Sequence, residues 1–146
     1  MKNNESSLAP LGFLLAWVSE TATKTYADAL AEVGMTPHHV GVLSLLASQL
    51  PMKQARIAEA LAIFKPEVVP LVNDLEVWGY VERRPHPTDR RAVEVHILQA
   101  GRDHLTGIET LSQEVADRFF APLTQQEFAD LHTSLMKLYQ HHGGEE

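Results

Sequence analysis

Between Leu75 and Leu98 the apolar residues of this 146-residue chain change their period. Val68, Leu71, Val72 and Leu75 fall three and four residues apart, the spacing of one helix face. Beyond Gly79 they alternate instead. Tyr80–Arg84 reads as a strand, Pro85-His86-Pro87-Thr88-Asp89 as a turn, and Ala92–Leu98 as a second strand. Val93, Val95 and Ile97 share one face of that second strand and are predicted to point inward, with Glu94 and His96 on the other. The chain therefore holds one hairpin in a helical setting.

The helices are read from the same spacing. Leu11, Leu14, Leu15, Val18, Ala22, Ala29, Leu30 and Val33 predict a helix that Gly34 ends. Thr36-Pro37 is an N-cap followed by a proline at the first helical position, opening a helix through Leu50 that Pro51 breaks. A short helix over Lys53–Ala60 turns Ile57, Ala58 and Leu61 inward, and Lys65–Trp78 forms the next. Helix resumes near Gln99 and runs to about Phe120, loosened at Gly107. Thr124-Gln125-Gln126-Glu127 is a capping box. It opens a last helix with Phe128, Leu131, Leu135, Leu138 and Tyr139 on its inner side. Met1–Ala9 is polar and expected to fray.

Two short helices in tight sequence, then a hairpin with arginines at its tip, make a winged helix-turn-helix. The expected class is mainly α with a small β-hairpin wing. A helix fits the DNA major groove, where base edges are distinguishable, and a basic hairpin reaches the flanking backbone or minor groove. Charge is distributed to match. The formal net charge is -7, yet Pro51–Arg91 carries seven basic and six acidic residues, against five and thirteen in the remainder. The middle of the chain is thus positive relative to its ends and can meet a polyanion locally.

VGVLSLLASQLPMKQARIAEALAI, then LVNDLEVWGYVERRPHPTDRRAVEVHI, then LQAGRDHL resembles the MarR family of bacterial transcription regulators over Thr36–Leu105. Asp89-x-Arg91 after a proline-bearing turn is the most specific part of the match. The resemblance implies a homodimer on double-stranded DNA. Residues 1–35 would form an N-terminal dimerisation helix, 36–98 the DNA-binding winged domain and 99–146 the C-terminal dimerisation helices. It also implies repression, less often activation, relieved by a small effector that is commonly a phenolic or other aromatic acid.

Carried over residue by residue, Arg91 would enter or flank the minor groove, with Asp89 orienting it by a charge-assisted hydrogen bond. Arg83, Arg84, Thr88 and Arg90 complete the wing set, and Lys53 and Gln54 would meet the DNA backbone. The recognition helix departs from the family's small polar and basic residues. Its candidate readers are Lys65, Pro66, Glu67, Val69, Pro70 and Asn73. Pro66 suits the first helical position, whereas Pro70 removes a bond to the Pro66 carbonyl and predicts a bent entry. Val69 or Pro70 would touch thymine methyls, and Glu67 would accept from cytosine.

An effector cavity is expected where the first two helices meet, lined by Trp17, Tyr26, His38, His39 and Val42. The competing assignment puts Trp17 in a dimer core and His38-His39 at an exposed helix start. Eight histidines raise the question of metal, but they are spread over different elements and no H-E-x-x-H pair occurs. Zero cysteines exclude a thiolate site and a cysteine redox sensor. No phosphate loop or nucleophile elbow suggests an enzyme, and no cofactor is expected. With no membrane-length apolar run or signal peptide in the sequence, the expected compartment is the cytoplasm. The rival reading is a winged-helix module that binds protein and has lost specific DNA binding.

Overall fold

The computed structural model describes residues 10–142; the stretch Met1–Ala9 expected to fray lies outside them. Its elements are α1 (Leu11–Glu32), α2 (Pro37–Ser48), β1 (Met52–Lys53), α3 (Gln54–Leu61), α4 (Lys65–Val77), β2 (Val81–Pro85), β3 (Val93–Ile97), α5 (Gln99–Phe120) and α6 (Gln125–His141). Two compact units divide between Ser112 and Gln113, inside α5.

Glycine ends two helices in the first unit by adopting positive φ at low steric cost. Gly34 sits at φ +75° after α1, and Gly79 at φ +77° after α4. Each permits the same tight exit: Met35 N–H donates to the Leu30 carbonyl at 3.0 Å, and Tyr80 N–H to the Leu75 carbonyl at 2.9 Å. The chain thereby leaves α4 and enters β2 almost at once.

The sheet has three antiparallel strands in the order β1-β3-β2. Arg83 faces Val95 and Pro85 faces Val93 across the hairpin, while Met52 pairs with Val95 on the other side. The strand β1 is a correction to the sequence reading, which had Lys53 starting a helix. Two residues are too few to show a period, so their pairing is set by β3. The α2 helix also stops at Ser48, short of Leu50.

Leu30, Leu43, Leu46, Ile57, Val68, Val72, Leu75, Val81 and Val95 close a core between α2, α3, α4 and the sheet, each at most 2% exposed. The inward face of β3 is shorter than its alternation predicts. Val95 is fully buried and Ile97 partly, but Val93 is 43% exposed. Val93 pairs with Pro85 at the outer end of the hairpin, where the strands run past the core.

Apolar periodicity is likewise only part of the account for the terminal helices. In α1 Leu30 is buried, whereas Leu11, Leu14, Leu15, Trp17 and Val18 are exposed. In the second unit, Phe128, Leu131, Leu135, Leu138 and Tyr139 are 37–58% exposed, so the face of α6 expected to point inward is open in the single chain. The capping box of α6 is as read: Thr124 Oγ1 accepts from Glu127 N–H, and Glu127 Oε2 from Thr124 N–H at 2.8 Å. Gly107 does not interrupt α5. No helix among the described residues is long and apolar enough to cross a membrane.

Candidate nucleic-acid interface

The wing turn is built from side chains that accept backbone donors. His86 N–H donates to the Ala92 carbonyl at 3.0 Å, and Ala92 N–H to the Asp89 carbonyl at 3.1 Å. Within the loop so closed, His86 Nδ1 accepts from the N–H groups of Thr88 at 3.2 Å and Asp89 at 3.1 Å. Its Nε2 faces Glu94 Oε1 at 3.5 Å. Glu94 Oε2 meets His96 Nε2 at 3.2 Å. Glu94 thus lies between the two histidine rings. No group of three or more metal-ligating side chains is arranged to hold a metal ion among the described residues.

Asp89 corrects the expected Asp–Arg pairing. Its Oδ1 accepts the backbone N–H of Arg91 at 3.1 Å, and its Oδ2 lies 3.3 Å from Lys53 Nζ. The carboxylate therefore shapes the loop and ties it to β1, leaving the Arg91 guanidinium free. Arg90 and Arg91 are exposed and have no salt-bridge partner among the described residues. The Arg91 N–H first, and Lys53 second, hold the Asp89 carboxyl below its ordinary pKa. A depressed folded pKa stabilises the turn above the unfolded value, and this is lost as pH falls through the folded one. The Arg91 amide resonance should therefore report a titration of Asp89 whose midpoint lies below the ordinary carboxylate value. An NMR pH titration would show it, and a midpoint at or above the ordinary value would contradict the lowered pKa.

The other wing arginines are engaged. Arg84 pairs with Glu82 on its own strand. Arg83 is turned away from solvent: its Nε donates to Gln54 Oε1 at 2.9 Å and its Nη1 to Glu76 Oε1 at 3.0 Å. Its Nη2 reaches the Val69 carbonyl at 3.4 Å, and its backbone N–H donates to Glu76 Oε2 at 2.9 Å. One side chain thus joins β2 to α3 and α4. Alternation along β2 places Arg83 opposite the outward Arg84, so in the free chain Arg83 and Gln54 are joined to each other. The signal for this tie in the sequence is Glu76, seven residues before Arg83.

Helix α4 leaves Lys65, Pro66, Glu67, Val69, Pro70 and Asn73 exposed, opposite the buried Val68, Val72 and Leu75. Pro66 falls at the second helical position, since Lys65 begins the helix after the N-cap Phe64. Phe64 supplies no side-chain cap, and Glu67 stands in the first turn, where its charge favours the helix N-terminus. The helix continues through Pro70.

The five residues expected to line a cavity do not converge on one. Trp17 is 57% exposed, Val42 is in the core and His38 is exposed. Tyr26 Oη accepts from Ser112 Oγ at 3.4 Å. His39 is buried because both its ring nitrogens are used. Nδ1 accepts Thr36 N–H at 3.1 Å, completing a capping box, so Nε2 carries the proton toward Asp74 Oδ2 at 3.0 Å. His39 also packs edge-on against Trp78, with centroids 5.0 Å apart. A cavity in this unit lies beyond Trp78. Its volume is about 180 Å3, and Val33, Gly34, Met35, Trp78, Tyr80 and His104 line it. Tyr80 stacks on His104 at 4.5 Å and 14°. Aromatic rings thus run from the start of α2, past the end of α4, to α5.

Comparison with known proteins adds an independent result. A family model described as MarR family matches residues 33–92. A Thauera aromatica protein, proposed as the transcriptional regulatory protein for the hcr operon, is 30% identical over 136 residues, spanning 92% of this chain and 82% of that one. The reduced form of MarR from E. coli superposes with a TM-score of 0.79 at 25% identity, over 90% of this chain and 98% of that one. A MarR mutant from E. coli complexed with operator DNA gives a TM-score of 0.71 at 23% identity, over 93% and 98%.

Proposed function

The chain belongs to the MarR family, and from that premise we propose that it is a cytoplasmic, homodimeric transcription repressor binding a pseudo-palindromic DNA operator. The observation that carries this reading is the wing tip. Two guanidinium groups, Arg90 and Arg91, stand exposed without acidic partners among the described residues, while Asp89 is occupied by Lys53 and by backbone. Guanidinium forks suit phosphate and the narrow minor groove. The open apolar faces of α1 and α6 support a dimer, because monomers seldom leave so many large apolar side chains in water.

The effector part of the reading rests on the cavity beside Trp78, Tyr80 and His104. Its rings suit a small planar aromatic compound, and His104 Nε2, 3.1 Å from Met35 Sδ, would turn to donate to an acid group. Trp78 caps α4 and touches His39, so an occupant would bear on the recognition helix. No catalytic role is assigned to any residue, consistent with relatives named as transcriptional regulators.

A second reading, a protein-binding winged module, is favoured by one feature: the exposed residues of α4 include Pro66, Val69, Pro70 and Val77. Salt separates the two. In gel shifts against the DNA upstream of its own gene, a regulator neutralising six or more phosphates should lose roughly a thousandfold in affinity between about 50 and 200 mM salt. Binding that is absent, or indifferent to salt, would favour the protein-binding module.

A further inference from the structure

The outward face of α4 has the wrong chemistry for reading base edges by hydrogen bonds. A helix turns 100° per residue, so with Val68, Val72 and Leu75 buried the positions directly opposite are Pro66, Pro70 and Val77, flanked by Asn73 on one side and Asp74 on the other. The three opposite positions are all apolar. Val77 is 84% exposed, Val69 beside the ridge 41%, and Phe64 at the helix start 72%. This apolar surface belongs to the same unit that carries Arg90 and Arg91, and a partner that meets both has to be a polyanion.

A polyanion with apolar groups on an accessible face is duplex DNA seen from the major groove, where each thymine projects its C5 methyl. Resting on the DNA-binding reading above, we infer that α4 selects its site by burying thymine methyls against Phe64, Val69 and Pro70. Asn73, flanking the ridge, then supplies an amide suited to the paired acceptor and donor of an adenine. Proline strengthens the scheme, since its ring has no rotamer freedom to lose on binding. Glu67 fits the same picture by repelling phosphate, which leaves backbone attraction to the wing.

The test removes only the methyl. Sites are first enriched on the full-length protein from a randomised 30-base-pair duplex library at low salt, and should be rich in thymine within each half-site. They are then resynthesised with deoxyuridine for thymidine. Affinity should fall about fourfold per buried methyl, the value of burying one such group. Two methyls per half-site in a dimer give a loss on the order of a hundredfold. In the double variant Phe64→Ser with Val69→Ser, at exposed positions, the ratio of thymidine to deoxyuridine affinity should fall toward one. Equal affinity of the wild type for both duplexes overturns the inference while leaving DNA binding intact. So does a deoxyuridine penalty that persists undiminished in the double variant, because it would then reflect duplex shape. Failure to bind any duplex in a salt-dependent way overturns the DNA-binding reading itself.

Discussion

Replacing Arg90 and Arg91 together by alanine is expected to weaken DNA binding on the order of a thousandfold at about 0.1 M salt, with the fold unchanged. Each phosphate contact releases about 0.9 counterion, so each is worth roughly 1.2 kcal/mol at that salt. Two arginines in each of two protomers make four contacts, or about 5 kcal/mol. The slope of log affinity against log salt should become shallower by roughly 3.6 in the same titration. Neither residue is in the core or in a salt bridge among the described residues, so thermal stability should hardly move. A double variant that binds as wild type, with an unchanged slope, would show that the wing tip does not meet the backbone. Arg83→Ala makes the useful contrast. It breaks the tie between Gln54, Glu76 and the Val69 carbonyl, so it should cost stability as well as binding.

That contrast shows how far a sequence carries. Four arginines near one turn look alike in a string, and all four invite assignment to DNA. Which of them is free depends on partners seven and twenty-nine positions away, Glu76 and Gln54, and on the alternation that turns Arg83 inward. The architecture was legible because it rests on local signals: glycine after α1 and α4, the capping residues Thr36 and Thr124, and the change of apolar period at Tyr80. Strand β1 was not, since two residues carry no period of their own. The cavity was missed for a related reason. His39 advertises itself as a ligand group, yet its ring is consumed by Thr36 and Asp74, and the lining comes from Trp78, Tyr80 and His104, which read as ordinary helix and strand ends.

Substituting Gly101 with alanine is the change expected to cost most stability for one methyl group. Gly101 is buried in the first turn of α5, where the helix starts directly against the base of the wing. The join is held by Leu98 N–H, which donates to the Tyr80 carbonyl at 2.9 Å. A Cβ on Gly101 would lie 2.3 Å from that carbonyl oxygen and 3.0 Å from Ile97 Cγ1. The oxygen is backbone and cannot rotate away, so either α5 or β2 must shift. Overpacking of this kind costs about 1–3 kcal/mol, and a backbone clash belongs at the upper end. At roughly 3 kcal/mol and about 3 °C per kcal/mol for a chain near this size, the melting midpoint should drop by about 10 °C. Gly107→Ala in the same helix is the control. Nothing lies within 4 Å of its Cβ position, so alanine there should gain roughly 0.5–1 kcal/mol from helix propensity alone. If the two substitutions shifted the midpoint alike, close approach would not be the reason for glycine at 101. If they diverge as expected, Tyr80 and His104, whose stacked rings wall the cavity, are held in place by that contact. Gly101→Ala should then disturb the effector response proposed for that cavity even at temperatures where the protein stays folded.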